Sequence, residues 1–268
     1  MRTRLHLALL FPLACLLGCT LPYTQPPQTI TCNWQIQSGT AITSPPTAPY
    51  LVGALQGTDS ALTGTFNTAQ PGTVSPQVLS YSGTYNTATG SLILNSTVPL
   101  QAEQITAALS VPTDPTTLST VTLQFQCIPC NNTGYLSPVV GVEVAPLNGT
   151  YTGTLTDSST PSMSGTASLT LTQSDTPNSS GQFPLTGTII FPSNSGLGSA
   201  VSLSGTVSGI GITLNRPQPC GTPPVCEVVV PSVVLTAFTN STAAQITISH
   251  LTYSGDTTAT FAGTLTLQ

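Results

Sequence analysis

VSLSGTVSGIGITLN, residues 201–215, reads as a β-hairpin. Val201, Leu203 and Val207 alternate with Ser and Thr, Ser208-Gly209 supplies a turn, and Ile210, Ile212 and Leu214 alternate again. Strict alternation of this kind marks a strand with one face on a core and one in water. Residues 79–95, LSYSGTYNTATGSLILN, repeat the phrase: apolar-Ser-apolar-Ser-Gly-Thr-apolar, a turn, then apolar-x-Leu-Asn. A hairpin written twice predicts two copies of one β module.

The rest of the chain can be laid over itself in the same order. Residues 33–36 fall on 150–153, which sets Trp34 on Tyr151. Residues 55–59 fall near 171–175, and 62–66 on 185–189. After the hairpin, 105–109 and 121–125 correspond to 233–237 and 246–251, and 139–145 to 260–267. The break falls at Pro146, giving modules 30–145 and 146–268. Each has an ordinary domain size and room for about eight short strands. The expected class is all-β: two tandem antiparallel modules, meander β-barrels with β-sandwiches as the alternative. Closure favours the barrel because it leaves no exposed strand edge. Gly64, Gly83, Gly187 and Gly205 interrupt strand patterns and are expected at bends or bulges.

Composition narrows the function. Only 4% of the 268 residues are charged, against roughly 25% in a typical soluble domain. There is no Lys, and the three Arg are Arg2, Arg4 and Arg216. Phosphate backbones and anionic headgroups need clustered bases, so a nucleic-acid partner is not expected. Thr, Ser, Gly, Asn and Pro replace the charge and favour strands and turns.

The first twenty residues read MRTRLHLALLFPLACLLGCT. Arg2 and Arg4 form a basic n-region, and 5–17 an apolar run too short to span a bilayer. The run ends in Leu16-Leu17-Gly18-Cys19, which resembles the lipobox of bacterial lipoprotein precursors. Cys15 is a rival, but it lies inside the apolar run. The resemblance implies diacylglyceryl transfer to the Cys19 thiol, cleavage before it and acylation of the new amino group. Thr20, rather than Asp, implies sorting to the outer membrane. Residues 1–18 are then a lipoprotein signal peptide, and 19–29 a lipidated Cys with a tether stiffened by Pro22, Pro26 and Pro27. The chain as a whole resembles bacterial lipoproteins in which a lipobox precedes Thr/Gly-rich tandem β repeats. That likeness implies periplasmic or surface display and carries no specific activity. LTGTF and SGTY also resemble strands of avidin-like barrels, but no biotin-site constellation accompanies them.

Five cysteines follow Cys19: Cys32, Cys127, Cys130, Cys220 and Cys226. Export would place them where disulfides form. Cys220 and Cys226 fit a loop staple, and Cys32 is expected near Cys127 or Cys130 if first and last strands adjoin. The odd count leaves one thiol over. Cys127-Ile-Pro-Cys130 has redox or zinc spacing, yet no βαβ pattern accompanies it, and the one His after the leader, His250, lies in the other module. No metal site, cofactor or catalytic residue is therefore expected. His250 reads as part of a polar strand face, and Asp59 and Asp175 as turn caps. The sequons Asn131-Asn132-Thr133 and Asn148-Gly149-Thr150 would be incidental given the resemblance to a bacterial lipobox. Trp34 and Tyr151, at matching first-strand positions, could floor a cavity for an apolar or sugar ligand, or plug the barrels as core.

Three readings follow. One is a non-enzymatic, lipid-anchored envelope protein with a scaffold or binding role and an unidentified partner. Another is a barrel-type carrier of a small apolar or sugar ligand. A hydrolase with a cryptic site is disfavoured, because general acid-base chemistry needs His, Lys or carboxylates that this chain scarcely has.

Overall fold

A computed structural model describes residues 29–38, 41–46, 50–58, 60–69, 78–86, 89, 91–97, 103–108, 120–127, 139–197, 200–217, 231–255 and 257–268. Cys19, Asp59, Cys130, Asn131, Asn132, Cys220 and Cys226 lie outside them. Sixteen strands follow in order. The first eight are β1 (Thr29–Ser38), β2 (Tyr50–Thr58), β3 (Ala61–Ala69), β4 (Val78–Asn86), β5 (Ser91–Ser96), β6 (Glu103–Ala108), β7 (Thr120–Cys127) and β8 (Val139–Val144). Then come β9 (Gly149–Asp157), β10 (Gly165–Gln173), β11 (Phe183–Ile190), β12 (Val201–Ser208), β13 (Gly211–Asn215), β14 (Ser232–Thr239), β15 (Gln245–Ser254) and β16 (Thr258–Leu267). Each set of eight closes into an antiparallel meander barrel. The closing pairs are β1 with β8, where Trp34 faces Glu143, and β9 with β16, where Tyr151 faces Leu267. The barrel expectation therefore holds over the sandwich. Every pair of segments that matches in the sequence occupies the same ordinal strand in its own barrel.

Period 2 explains the interiors. In the second barrel Leu155, Leu169, Leu171, Leu185, Ile189, Leu203, Val207, Leu214, Leu235, Ile246, Phe261 and Leu265 point inward and are buried, while the alternate Thr and Ser face out. The first barrel encloses Trp34, Ile36, Leu55, Leu62, Phe66, Tyr81, Leu92 and Leu94. Burying one such side chain contributes about 1.5–3 kcal/mol, so the interior side chains are the main source of stability. One end of the second barrel is lidded by the one-turn 3₁₀ helices Pro161–Met163 and Ser193–Ser195, which touch each other through Asn194 Nδ2 donating to Ser162 O and Ser164 O, with Phe191 edge-on against Tyr253. Beside them Asp157 is buried. Its Oδ1 accepts the Ser159 and Thr160 N–H groups and its Oδ2 that of Thr260, which ties the β9–β10 turn to β16.

Two local expectations are corrected. The hairpin turn is Gly209-Ile210, one residue later than Ser208-Gly209, because Ser208 pairs with Gly211 in the ladder. Gly209 takes φ +54°, the conformation a tight hairpin asks of its first turn residue. Ile210 therefore leaves the alternation. The strand glycines also lie at close approaches, while the bulges lie elsewhere. Gly83 faces Leu94, and Gly205 faces Leu214, in the same register. A Cβ there would collide with the carbonyl oxygen of Ile93 or Thr213. The register shifts fall instead between Thr236 and Ala237 and between Ile248 and Leu251. There Ser249 and His250 both face out, so that Ile248 and Leu251 can both face in.

Gly205→Ala should cost about 3 kcal/mol, since the carbonyl it meets belongs to the ladder and cannot move. Gly211→Ala, whose nearest neighbour would be Ser208 O at 3.5 Å, should leave urea stability unchanged or raise it by about 0.5 kcal/mol. Equal losses in the two variants would show that the close approach does not shape the barrel.

Candidate functional site

The first strand is buried on both faces. Trp34 and Ile36 point into the first barrel, while Asn33, Gln35 and Gln37 point outward and are also buried. Gln37 is covered by its own loop, donating from Nε2 to Thr43 Oγ1 at 2.8 Å and accepting from Thr43 N–H at 3.3 Å. Asn33 and Gln35 are covered by the second barrel. Asn33 Nδ2 donates to Gly209 O at 2.8 Å, and Gly209 N–H donates to Asn33 Oδ1 at 2.7 Å. Gln35 Oε1 accepts the Ile210 N–H at 3.3 Å. A side-chain amide thus completes the hydrogen bonding of a hairpin turn from the other barrel.

Neighbouring contacts extend the junction. Asn67 Nδ2 donates to Ser180 O at 2.7 Å, and Gly181 lies against the Thr65 backbone so closely that no side chain would fit. Ala54, on the outer face of β2, packs into the apolar cluster of the second barrel. Ala145 N–H donates to Ser241 O at 2.8 Å. The end of the second barrel that carries turns 178–182, 209–210 and 240–243 sits on the β1–β2–β3 side of the first.

A cleft of about 350 Å³ opens where the rims meet. Thr31, Cys32 and Asn33 of β1, Glu143 and Val144 of β8, and Pro146 form one wall, and Gln173, Asp175 and Phe183 form the other. Burial and the nearby Glu143 carboxylate, which also accepts a hydrogen bond from the thiol, push the Cys32 thiol well above the ordinary thiol range. Cys32 is free. The bridge expected to Cys127 or Cys130 rested on adjacent first and last strands, but Cys127 lies on β7, and β8 intervenes between it and β1. Gln173 is fixed from both ends: its Oε1 accepts the Leu147 N–H at 3.0 Å and its own N–H donates to Asn148 Oδ1 at 3.0 Å.

The other sequence candidates lie apart from this cleft. Trp34 is buried in the first barrel with an Nε1 that has no hydrogen-bond partner. Tyr151 is buried in the second barrel and donates its hydroxyl to Ala243 O at 2.9 Å. Burial pushes that phenol's pKa up. His250 is exposed, with its Nε2 2.6 Å from Thr252 Oγ1. In the β10–β11 loop the capping is done by Asn178, whose Oδ1 accepts the Ser180 and Gln182 N–H groups, and by Ser174, whose Oγ accepts the Thr176 N–H. Asp175, expected as the cap, lines the cleft instead. Asn33, Gln35 and Glu143 escape sequence reading. The one available signal is the polar-apolar alternation Asn33-Trp34-Gln35-Ile36-Gln37, which looks like any solvated strand face. Among the described residues no three His, Cys, Asp or Glu side chains gather as metal ligands.

Asn33→Ala should cost about 2–4 kcal/mol, because it leaves a buried N–H and a buried C=O of Gly209 unpaired. Guanidinium unfolding followed by the single Trp34 should show that loss. Because the folded Cys32 thiol holds its proton more tightly than the unfolded one, the stability it lends is complete below the ordinary thiol pKa. That stability drains away as pH rises above about 8.5. Cys32→Ser should flatten this alkaline decline, and native Cys32 should alkylate far more slowly than the unfolded chain at pH 8. Comparisons with protein-family models, curated proteins and solved structures find no match for this chain.

Proposed function

We propose that this chain is a lipid-anchored extracytoplasmic protein of the bacterial envelope, held at the outer membrane, whose two barrels serve a non-enzymatic binding or scaffold role. The observation that carries the reading is Leu16-Leu17-Gly18-Cys19 at the end of a basic and then apolar leader. Two or more acyl chains on one residue anchor a domain firmly, where one chain holds it only marginally. Strand β1 begins at Thr29, so an extended tether of about ten residues keeps the first barrel within about 35 Å of the bilayer.

The barrels support a binding or scaffold role in a coarser way. Their outward faces carry Thr and Ser hydroxyls in place of charges, and their described interiors are occupied by side chains. A ligand carried inside a barrel would need the space that Tyr151, Phe261 and Leu265 fill. A site between the barrels does not compete with the core, so a binding role is better placed at the junction than in a lumen.

Metabolic labelling with an alkyne analogue of palmitate should mark the wild-type protein in a bacterial host and lose the mark in Cys19→Ala. Unchanged labelling in that variant would sink the anchor.

A further inference from the structure

We propose that the junction is a releasable latch: the two barrels part as intact bodies about Val144 and Ala145, while each stays closed on itself. The strands leave this motion open. Every ladder of the described strands lies within one barrel or the other, so no sheet hydrogen bond has to break. The bonds that hold the two faces together are made by side chains: Asn33 with Gly209, Gln35 with Ile210 and Asn67 with Ser180.

The linker places the pivot. Strand β8 ends at Val144, and β9 begins at Gly149. Ala145 N–H donates to Ser241 O, and Leu147 is buried in the core of the second barrel with its N–H on Gln173 Oε1. The linker therefore travels with the second barrel. Pro146 fixes its own φ and holds Ala145 extended, so the turning falls where the chain leaves β8, at the end of an element, as hinges commonly do.

The groups buried at the contact favour parting. Gln35 is fully buried, and its Nε2 has no partner. Ser208 alternates with the inward Val207, so its hydroxyl leaves the second barrel on the side where β12 lies against β1 and β2, and it too is buried and unpaired. Both groups gain hydrogen bonds to water when the faces separate. Relative motion of domains is the default unless their interface is large and hydrophobic, and the apolar side chains here are Val52, Ala54 and Ile210. Opening bares Asn33, Gln35 and Asn67, amides that already hold the backbone of a turn, so the latch decides whether that face is free.

The test is native-state amide hydrogen exchange of the full-length protein, read residue by residue at low urea concentrations. The Gly209 and Ile210 N–H groups donate to Asn33 Oδ1 and Gln35 Oε1 across the junction, so they report docking. They should exchange at least about a hundredfold faster than the ladder amides of β11 and β12, with a weaker dependence on urea, as an opening that exposes little surface does. Ser208→Ala removes an unpaired hydroxyl from the docked state and should slow both amides about tenfold. Asn67→Ala cuts the bond to Ser180, on a different turn, and should quicken both about tenfold if the barrels move as bodies. Circular dichroism should show both variants folded. Three results would each overturn the latch. Exchange of Gly209 and Ile210 in step with the ladder amides, at the same urea dependence, would mean that the barrels part only by unfolding. Rates unmoved by Asn67→Ala would mean that the turn frays by itself. Exchange that Ser208→Ala does not slow would mean that the buried hydroxyl does not favour opening. None of these touches the anchor, which stands or falls with the labelling of Cys19→Ala.

Discussion

Two hydrogen bonds between Asn33 and the backbone of Gly209 hold the molecule's larger order. A closed barrel satisfies its own strand edges, so two barrels on one chain have no ladder left with which to join. They need side chains that can stand in for backbone. Asn is suited to this, since its amide sets an N–H donor beside a C=O acceptor with the spacing of a peptide group. It finds its complement in a hairpin turn, where the outward N–H and C=O have no ladder partner. The turn can come this close only because Gly209 lacks a side chain. A Cβ there would strike Gln35 and Val52. The same residue serves twice, since its positive φ also makes the turn.

Docking has a cost that the structure shows. Gln35 sits fully buried, and although its Oε1 accepts from Ile210, its Nε2 has no partner. Ser208 Oγ, beside the same turn, is likewise buried and unpaired. An unpaired buried donor costs about 1–3 kcal/mol, so the junction is not tuned for stability alone. The apolar contacts of Val52, Ala54 and Ile210 offset part of that cost. The rims do not meet everywhere. Where β1 begins and β8 ends they diverge, and the cleft with Glu143 and Asp175 lies in that gap.

Much of the architecture was legible in the residues. Alternation at period 2 predicted strands facing a core, although the strand glycines, expected at bends or bulges, turned out to mark close approaches between strands. The doubled hairpin predicted that whatever one half does, the other repeats, and each matched segment occupies the equivalent strand. The misplaced turn has a plain cause. Ile210 is apolar and two residues from Ile212, so alternation alone assigns it to the strand. It is buried where its N–H meets Gln35 of the other barrel, a partner that no local pattern announces. The bulge at Ser249-His250 is similar, for the irregular spacing of Ile248 and Leu251 is visible in the sequence, but its meaning needs the neighbouring strands.

The amino-acid sequence by itself determined the all-β class, the two-fold internal repeat and the basic-then-apolar N-terminal run that precedes Cys19, because each of these is a local pattern or a repetition of one. Only the tertiary structure decided which polar residues are buried at the junction and which line the cleft. Asn33 and Gln35 look like any outward-facing strand residues, and Asp175 like any turn residue. Their roles arise because one barrel's turn lands on another barrel's strand. That contact joins residues more than a hundred positions apart, a separation at which neither period nor spacing carries information.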